Sequence, residues 1–239
     1  MAENIVELLT DVADAIREKK GSNEPINAQD FANEIKNLPS GGEVAVFAEN
    51  MVDKTGKGIQ TIESVIFPSG ITTISEKAYY YCSGIKSIQI PEGVITIYPF
   101  AFGYCSAIRS ITLPSTIASL GQQCFAQTTA LESFYIPIDA PVTLLPRNLF
   151  WNSPLLKKVV IPKYVTSLAG YVFENCSGLV YVDFSNLMAV PNLENNNAFS
   201  GTSCVIIVPD ALYEDWITAT NWSSLADRIV KNSEYTRPL

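Results

Sequence analysis

The sequence predicts a repeat solenoid, mostly β with short helical or 3-10 turns, on three observations. Prolines recur on a fixed step: Pro68, Pro91 and Pro114 stand 23 residues apart, Pro137 follows after another 23, and Pro162 after 25. The residues around them repeat a refrain, S-I-x-I-P-x-x-V-x-x-I-x-x-x-A-F-x-x-C-x-x-L. Residues one and three before each proline are apolar (Ile88 and Ile90, Ile111 and Leu113, Phe134 and Ile136, Val159 and Ile161), the period-two signature of a strand with one buried face. At this period each unit covers the hydrophobic face of the next, and an interaction protein is the expected outcome rather than an enzyme.

Residues 1–38 read as a separate helical hairpin. Ile5, Leu8, Leu9, Val12 and Ile16 fall at helical spacing, Lys19 and Lys20 lie in the last turn, and Gly21 stops it. Asn27 caps a second helix to about Asn37, with Phe31, Ile35 and Leu38 as its stripe. Helices this short bury little alone. Ile5, Leu8, Leu9, Val12, Ile16, Phe31 and Ile35 are therefore expected to form an anchoring or oligomerisation face, with a trimer the first guess. Residues 39–43 read as a linker.

The solenoid is expected over 44–208. Its first unit is degenerate, keeping Ile59 and Ile62; the loop from Lys54 to Gly58 lacks the phosphate-cradling spacing and reads as a plain turn. Regular coils end at Ile85, Ile108 and Leu131; the next holds two extra residues near Ile138 to Pro141, another ends at Leu179, and the last, from Tyr181, puts Ser185 where proline is expected. Proline ends each strand because it has no N–H to donate. The V-x-x-I segment turns the corner with room for a second short strand, and the A-F-x-x-C piece has helical or 3-10 spacing. Identical slots stack, so Tyr79, Phe102, Phe125, Phe150 and Phe173 should form an aromatic spine. Residues 209–239 read as a carboxy-terminal helical cap and tail. Leu212, Trp216 and Ile217 point inward from a helix opened by Pro209, and Asn221 to Val230 forms further helical turns. Trp216 and Trp222 are read as cap packing.

The composition excludes several chemistries. The 239 residues carry a net charge of −8, which argues against nucleic acid and anionic membranes. No histidine is present, which removes His-based triads, His bases and most catalytic metal sites; no cofactor is expected. No 18-residue apolar run exists, so no membrane insertion is expected, and the amphipathic start lacks a secretory h-region. Cys82, Cys105 and Cys176 share one slot, and Cys124 sits where other coils have alanine. They read as reduced, buried ladder residues, with redox or metal groups as the other option.

The repeat resembles the BspA-like (treponemal-type) leucine-rich repeats, and the ending from Val208 to Val230 is similar to the tail that closes such arrays. The family implies a right-handed solenoid used for adhesion and protein binding at bacterial surfaces. The segment from Leu8 to Leu38 resembles a module at the start of phage and prophage structural proteins. Together the two resemblances imply a non-enzymatic structural and recognition protein of a virion, assembled in the bacterial host cytoplasm, held to other virion proteins by the helices and binding a host-surface protein or glycan. A bacterial surface or secreted adhesin is the alternative. A glycan hydrolase using carboxylates such as Glu174 and Asp183 is a third option, against which both read as solvated surface charge.

Candidate binding residues follow from the outward slots. Ile66, Gln89, Thr112, Tyr135, Val160, Asp183 and Ile207 share one, and Ser64, Ser87, Ser110, Ser133, Lys158 and Tyr181 run beside it. Of these Tyr135, Val160 and Tyr181 offer apolar contact. Near the A-F turn, Tyr80, Tyr81, Tyr104 and Trp151 should also point outward, where they either anchor a ligand or cover neighbouring coils.

Overall fold

The computed structural model describes Val65, Phe67 and residues 70–238. The hairpin residues Ile5, Leu8, Leu9, Val12, Ile16, Phe31 and Ile35, the 54–58 loop, Ser64 and Ile66 lie outside the described residues.

Among the described residues the coils contribute one strand of three residues (four in the last) and one of two, and every pairing is parallel. The short strands are β1 (Thr73–Ile74), β3 (Thr96–Ile97), β5 (Ser119–Leu120), β7 (Leu144–Leu145), β9 (Ser167–Leu168) and β11 (Asn192–Leu193). The longer ones are β2 (Ser87–Gln89), β4 (Ser110–Thr112), β6 (Ser133–Tyr135), β8 (Lys158–Val160), β10 (Tyr181–Asp183) and β12 (Val205–Val208). Like slots pair with like: Ser87, Ile88 and Gln89 oppose Ser110, Ile111 and Thr112, and these oppose Ser133, Phe134 and Tyr135. The 23-residue step is thus the register of the sheet.

Both ladders divide at the coil holding the two extra residues. The long strands form sheets β2-β4-β6 and β8-β10-β12, the second extended by a strand β13 (Ile229–Lys231), and the short ones form β1-β3-β5 and β7-β9-β11. The hydrophobic interior runs through the division. Phe134 is half-buried there, its ring edge-on to Phe150 with centroids 4.7 Å apart and 5.7 Å from Phe125. An ion pair between Lys163 and Asp139 bridges the inserted loop to the next coil.

The aromatic spine forms. Successive centroids from Tyr79 through Phe102, Phe125, Phe150 and Phe173 to Phe199 lie 5.0, 5.9, 6.2, 5.7 and 5.4 Å apart. All six are buried. Each buried phenylalanine contributes about 1.5–3 kcal/mol, and near-parallel offset rings add about 0.5–1.5 kcal/mol per pair.

Among the described residues the A-F segment is a 3-10 helix only in the last coil, over Asn196–Phe199. In the five coils before it the chain makes linked turns instead, with two residues at positive φ four apart: Lys77 and Tyr81, Phe100 and Tyr104, Gln123 and Gln127, Asn148 and Asn152, Tyr171 and Asn175. The stack explains the departure. Alternate N–H groups of one coil donate to carbonyls of the next, as Phe100, Phe102 and Tyr104 do to Gln122, Cys124 and Ala126 at 3.0, 2.9 and 2.8 Å. A helix would direct every N–H along its own axis and leave the inter-coil carbonyls without donors.

Two glycines are forced by the stacking, Gly121 and Gly178, the latter because its Cβ would lie 2.3 Å from the Pro154 carbonyl oxygen. A Cβ on Gly121 would lie 2.3 Å from the backbone nitrogen of Pro99 in the preceding coil.

The carboxy end closes the array. A 3-10 turn, Asp210–Leu212, leads into α1 (Tyr213–Thr218). A 3-10 helix, Ser223–Arg228, then delivers β13 (Ile229–Lys231), which pairs parallel with β12. Ile229 and Val230 are therefore strand, not the helical turns that the sequence suggested, because β12 offers them an open edge. Trp216 and Trp222 are buried edge-to-face at 4.5 Å, and Trp222 lies 5.8 Å from Phe199 at the end of the spine. The Trp222 Nε1–H donates to the Pro191 carbonyl at 2.8 Å.

Candidate functional site

The outer face of the long strands carries the first set of candidates. Tyr135 and Val160 are 56% and 38% exposed, and Gln89 and Lys158 are exposed with them. Tyr181 and Asp183, expected on the same open face, are 5% and 4% exposed. The carboxy-terminal tail folds over them. The Tyr235 ring sits edge-on to Tyr181 at 5.7 Å, and Arg237 donates from Nε and Nη2 to Asp183 Oδ2 at 2.9 and 2.6 Å. Arg237 also donates to Asn232 Oδ1 at 2.6 Å. Ile207 in the same slot is buried as well. Asp183 is thus a structural carboxylate in an ion pair rather than a solvated one, and Tyr181 offers no open surface while the tail is seated. Nothing local to β10 marked this, because its cover comes from residues 54 positions away.

The turn edge carries the second set. Tyr80, Tyr81, Tyr104 and Trp151 are half-buried rather than fully outward. The three tyrosines form one cluster: Tyr80 lies 4.5 Å from Tyr81 and 5.4 Å from Tyr104, and Tyr81 lies 4.4 Å from Tyr104. Tyr80 also meets Phe100 edge-on at 5.8 Å. Loss of solvent and the neighbouring Tyr81 push the Tyr80 phenol up to about 12, so its hydroxyl stays a donor. Trp151 lies two coils beyond Tyr104.

The thiols form an interior ladder. All five cysteines are buried and none is in a disulfide. The Cys105 and Cys176 Sγ–H groups donate to the carbonyls of Tyr79 and Phe150, one coil back, at 2.9 and 3.1 Å. Thr128 and Ser153 fill the same slot, share a hydrogen bond at 2.9 Å, and are equally buried. Sequence reasoning passed over these two because it followed cysteine rather than the shared need for a small donor. Burial raises the thiols of Cys105, Cys124 and Cys204, and Cys176 is pushed up to about 12, which keeps them protonated and unreactive.

Among the described residues no group of three or more His, Cys, Asp or Glu converges as a metal site. No helix among them is long and apolar enough to cross a membrane. Glu174, at the turn edge, and Asp183, on β10, do not form a converging pair.

Parallel strands at a fixed step, one continuous interior and a variable outside define a leucine-rich-repeat solenoid. The BspA type leucine rich repeat region (6 copies) matches residues 57–180 and 143–208, and the chain belongs to that family. Among solved structures, a T. pallidum leucine rich repeat protein is similar at 20% identity and a TM-score of 0.51, covering 72% of this chain and 94% of that one. A leucine rich cell surface protein from Faecalibacterium prausnitzii is similar at 20% identity and a TM-score of 0.48, covering 62% of this chain. A leucine-rich repeat protein from Bacteroides ovatus is similar at 26% identity and a TM-score of 0.46, covering 64% of this chain. This chain spans 48% and 44% of the length of those last two proteins. Comparison with curated proteins gives no match.

Proposed function

We propose that the chain is a non-enzymatic binding protein of a bacterial surface, its repeat array holding a protein or glycan against the open long-strand face. One observation carries this reading. The inward slots repeat one residue class in coil after coil, whereas the outward slot changes from Gln89 and Thr112 to Tyr135 and Val160, with the last two exposed. A constant interior fixes the scaffold and leaves the outer positions free to specify a partner. The named cell surface protein of Faecalibacterium prausnitzii is in keeping with it.

Fluorescently labelled full chain, titrated onto intact epithelial cells and onto intact bacteria, tests the reading. Saturable binding to one of them, weakened at least tenfold by Tyr135→Ser with Val160→Ser, supports it. Binding that never saturates, or that ignores both changes, contradicts it.

The resemblance of the amino-terminal segment to phage structural modules favours a second reading, a virion fibre or decoration protein anchored by residues 1–38. Antibody labelling separates the two. Label on intact producing cells fits the surface protein, and label confined to particles released by prophage induction fits the virion part.

A further inference from the structure

The turn edge carries a surface of different chemistry from the strand face. Its register is set by backbone hydrogen bonds between coils: Tyr81 to the Gly103 carbonyl at 2.9 Å, Tyr104 to Ala126 at 2.8 Å, Gln127 to Trp151 at 2.7 Å and Asn152 to Glu174 at 2.8 Å. Tyr80, Gly103, Ala126 and Trp151 therefore form one column along the stack, and Tyr81, Tyr104, Gln127 and Asn152 the next.

In the first column two small buried residues, Gly103 and Ala126, separate two half-buried rings. A Cβ on Gly103 would lie 3.2 Å from the Tyr80 ring, so that ring leans over the space the glycine leaves. In the second column the tilted, contacting rings of Tyr81 and Tyr104 give way to amides. Asn152 Nδ2 donates to Gln127 Oε1 at 2.7 Å. That bond leaves the Gln127 amide nitrogen and the Asn152 amide oxygen without a partner among the described residues. The eight residues of the two columns are uncharged, as are Phe100, Gln123 and Asn148 beside them, and the one cation in that neighbouring slot of these coils is Lys77, its ammonium 5.6 Å from the Phe100 ring centroid at the first coil.

We propose that this strip binds a neutral glycan laid along the stacking axis, with sugar faces on Trp151 and the Tyr80–Tyr104 cluster and hydroxyls paired by Gln127 and Asn152. Three features favour a sugar over a protein. Flat rings beside amides, each amide offering a donor and an acceptor, match a ligand that is apolar on its faces and hydroxylated on its edges. Three coil steps span about 14 Å at ~4.8 Å each, so the strip covers on the order of 200 Å², far below the roughly 800 Å² per partner of a stable protein interface. The backbone beneath every ring and amide is fixed by the inter-coil bonds, so little ordering remains to be lost on binding.

The inference names a ligand class within the binding role proposed above, at a different face. The full chain is screened on an array of neutral oligosaccharides, and positives are measured by saturation-transfer NMR. The expected result is saturable binding of at least one neutral tri- to pentasaccharide. It is weakened at least tenfold by Trp151→Ala and at least threefold by Gln127→Ala, and unchanged by Tyr135→Ser. Gln127→Ala keeps the test decisive if Trp151→Ala does not fold. Absence of any saturable neutral oligosaccharide, or binding indifferent to both variants, overturns the inference. Cell binding that persists in that case leaves the strand-face role standing, and loss of cell binding alone removes that role but not this one.

Discussion

Asn175 stands at φ 58°, and nine other non-glycine side chains share its kind of position in the coil turns, four of them aromatic. An ordinary residue in the left-handed region costs about 1–2 kcal/mol, and asparagine is among the cheapest occupants. Asn175→Val should therefore lower unfolding free energy by about 1–2 kcal/mol in urea, while Asn175→Gly stays within about 0.5 kcal/mol. Equal stability of the two variants would mean that the stack does not impose this conformation. This layer was not legible in the sequence. Lys, Tyr, Phe, Gln and Asn all occupy the position, so no glycine signal marks it, and the constraint comes from hydrogen bonds to the next coil. The inward slots were legible because burial selects one residue class at one spacing. Ile88, Ile111, Val159 and the phenylalanine spine all sit where the refrain put them.

At the scale of the element, the tail on β10 shows what a repeat pattern cannot reveal. The slots of Tyr181 and Asp183 face outward like those of Tyr135 and Val160, yet Tyr235 and Arg237 cover them. Removing Arg237 leaves a buried carboxylate without its cation. Arg237→Ala should cost about 1–3 kcal/mol, since the arginine itself is partly solvated, and Asp183→Asn in the same chain should recover part of that loss. The readout is chemical denaturation together with hydrogen exchange at residues 181–183. Unchanged stability and exchange in Arg237→Ala would show that the tail does not hold this face shut. The second short strand was readable from V-x-x-I, but β13 was not. Ile229 and Val230 form an apolar pair too short to carry a period, and only the free edge of β12 makes them strand.

At the scale of the whole molecule, the coils form a nearly one-dimensional stack in which each touches its neighbours through the same slots. The fold class, the strand register and the spine follow from the period alone. The binding surfaces do not, because exposure depends on what the insertion, the tail and neighbouring side chains cover. The stack is tested most directly by excising one whole period. Deleting residues 92–114 joins Pro91 to Ser115 and restores the refrain, whereas deleting residues 92–111 joins Pro91 to Thr112 and shifts every later slot. Thermal unfolding followed by near-ultraviolet circular dichroism gives the answer. The 23-residue deletion should keep a cooperative transition with a midpoint lowered by several degrees, and the 20-residue deletion should lose it. Two deletions that behave alike, both folded or both unfolded, would contradict a structure built from interchangeable turns.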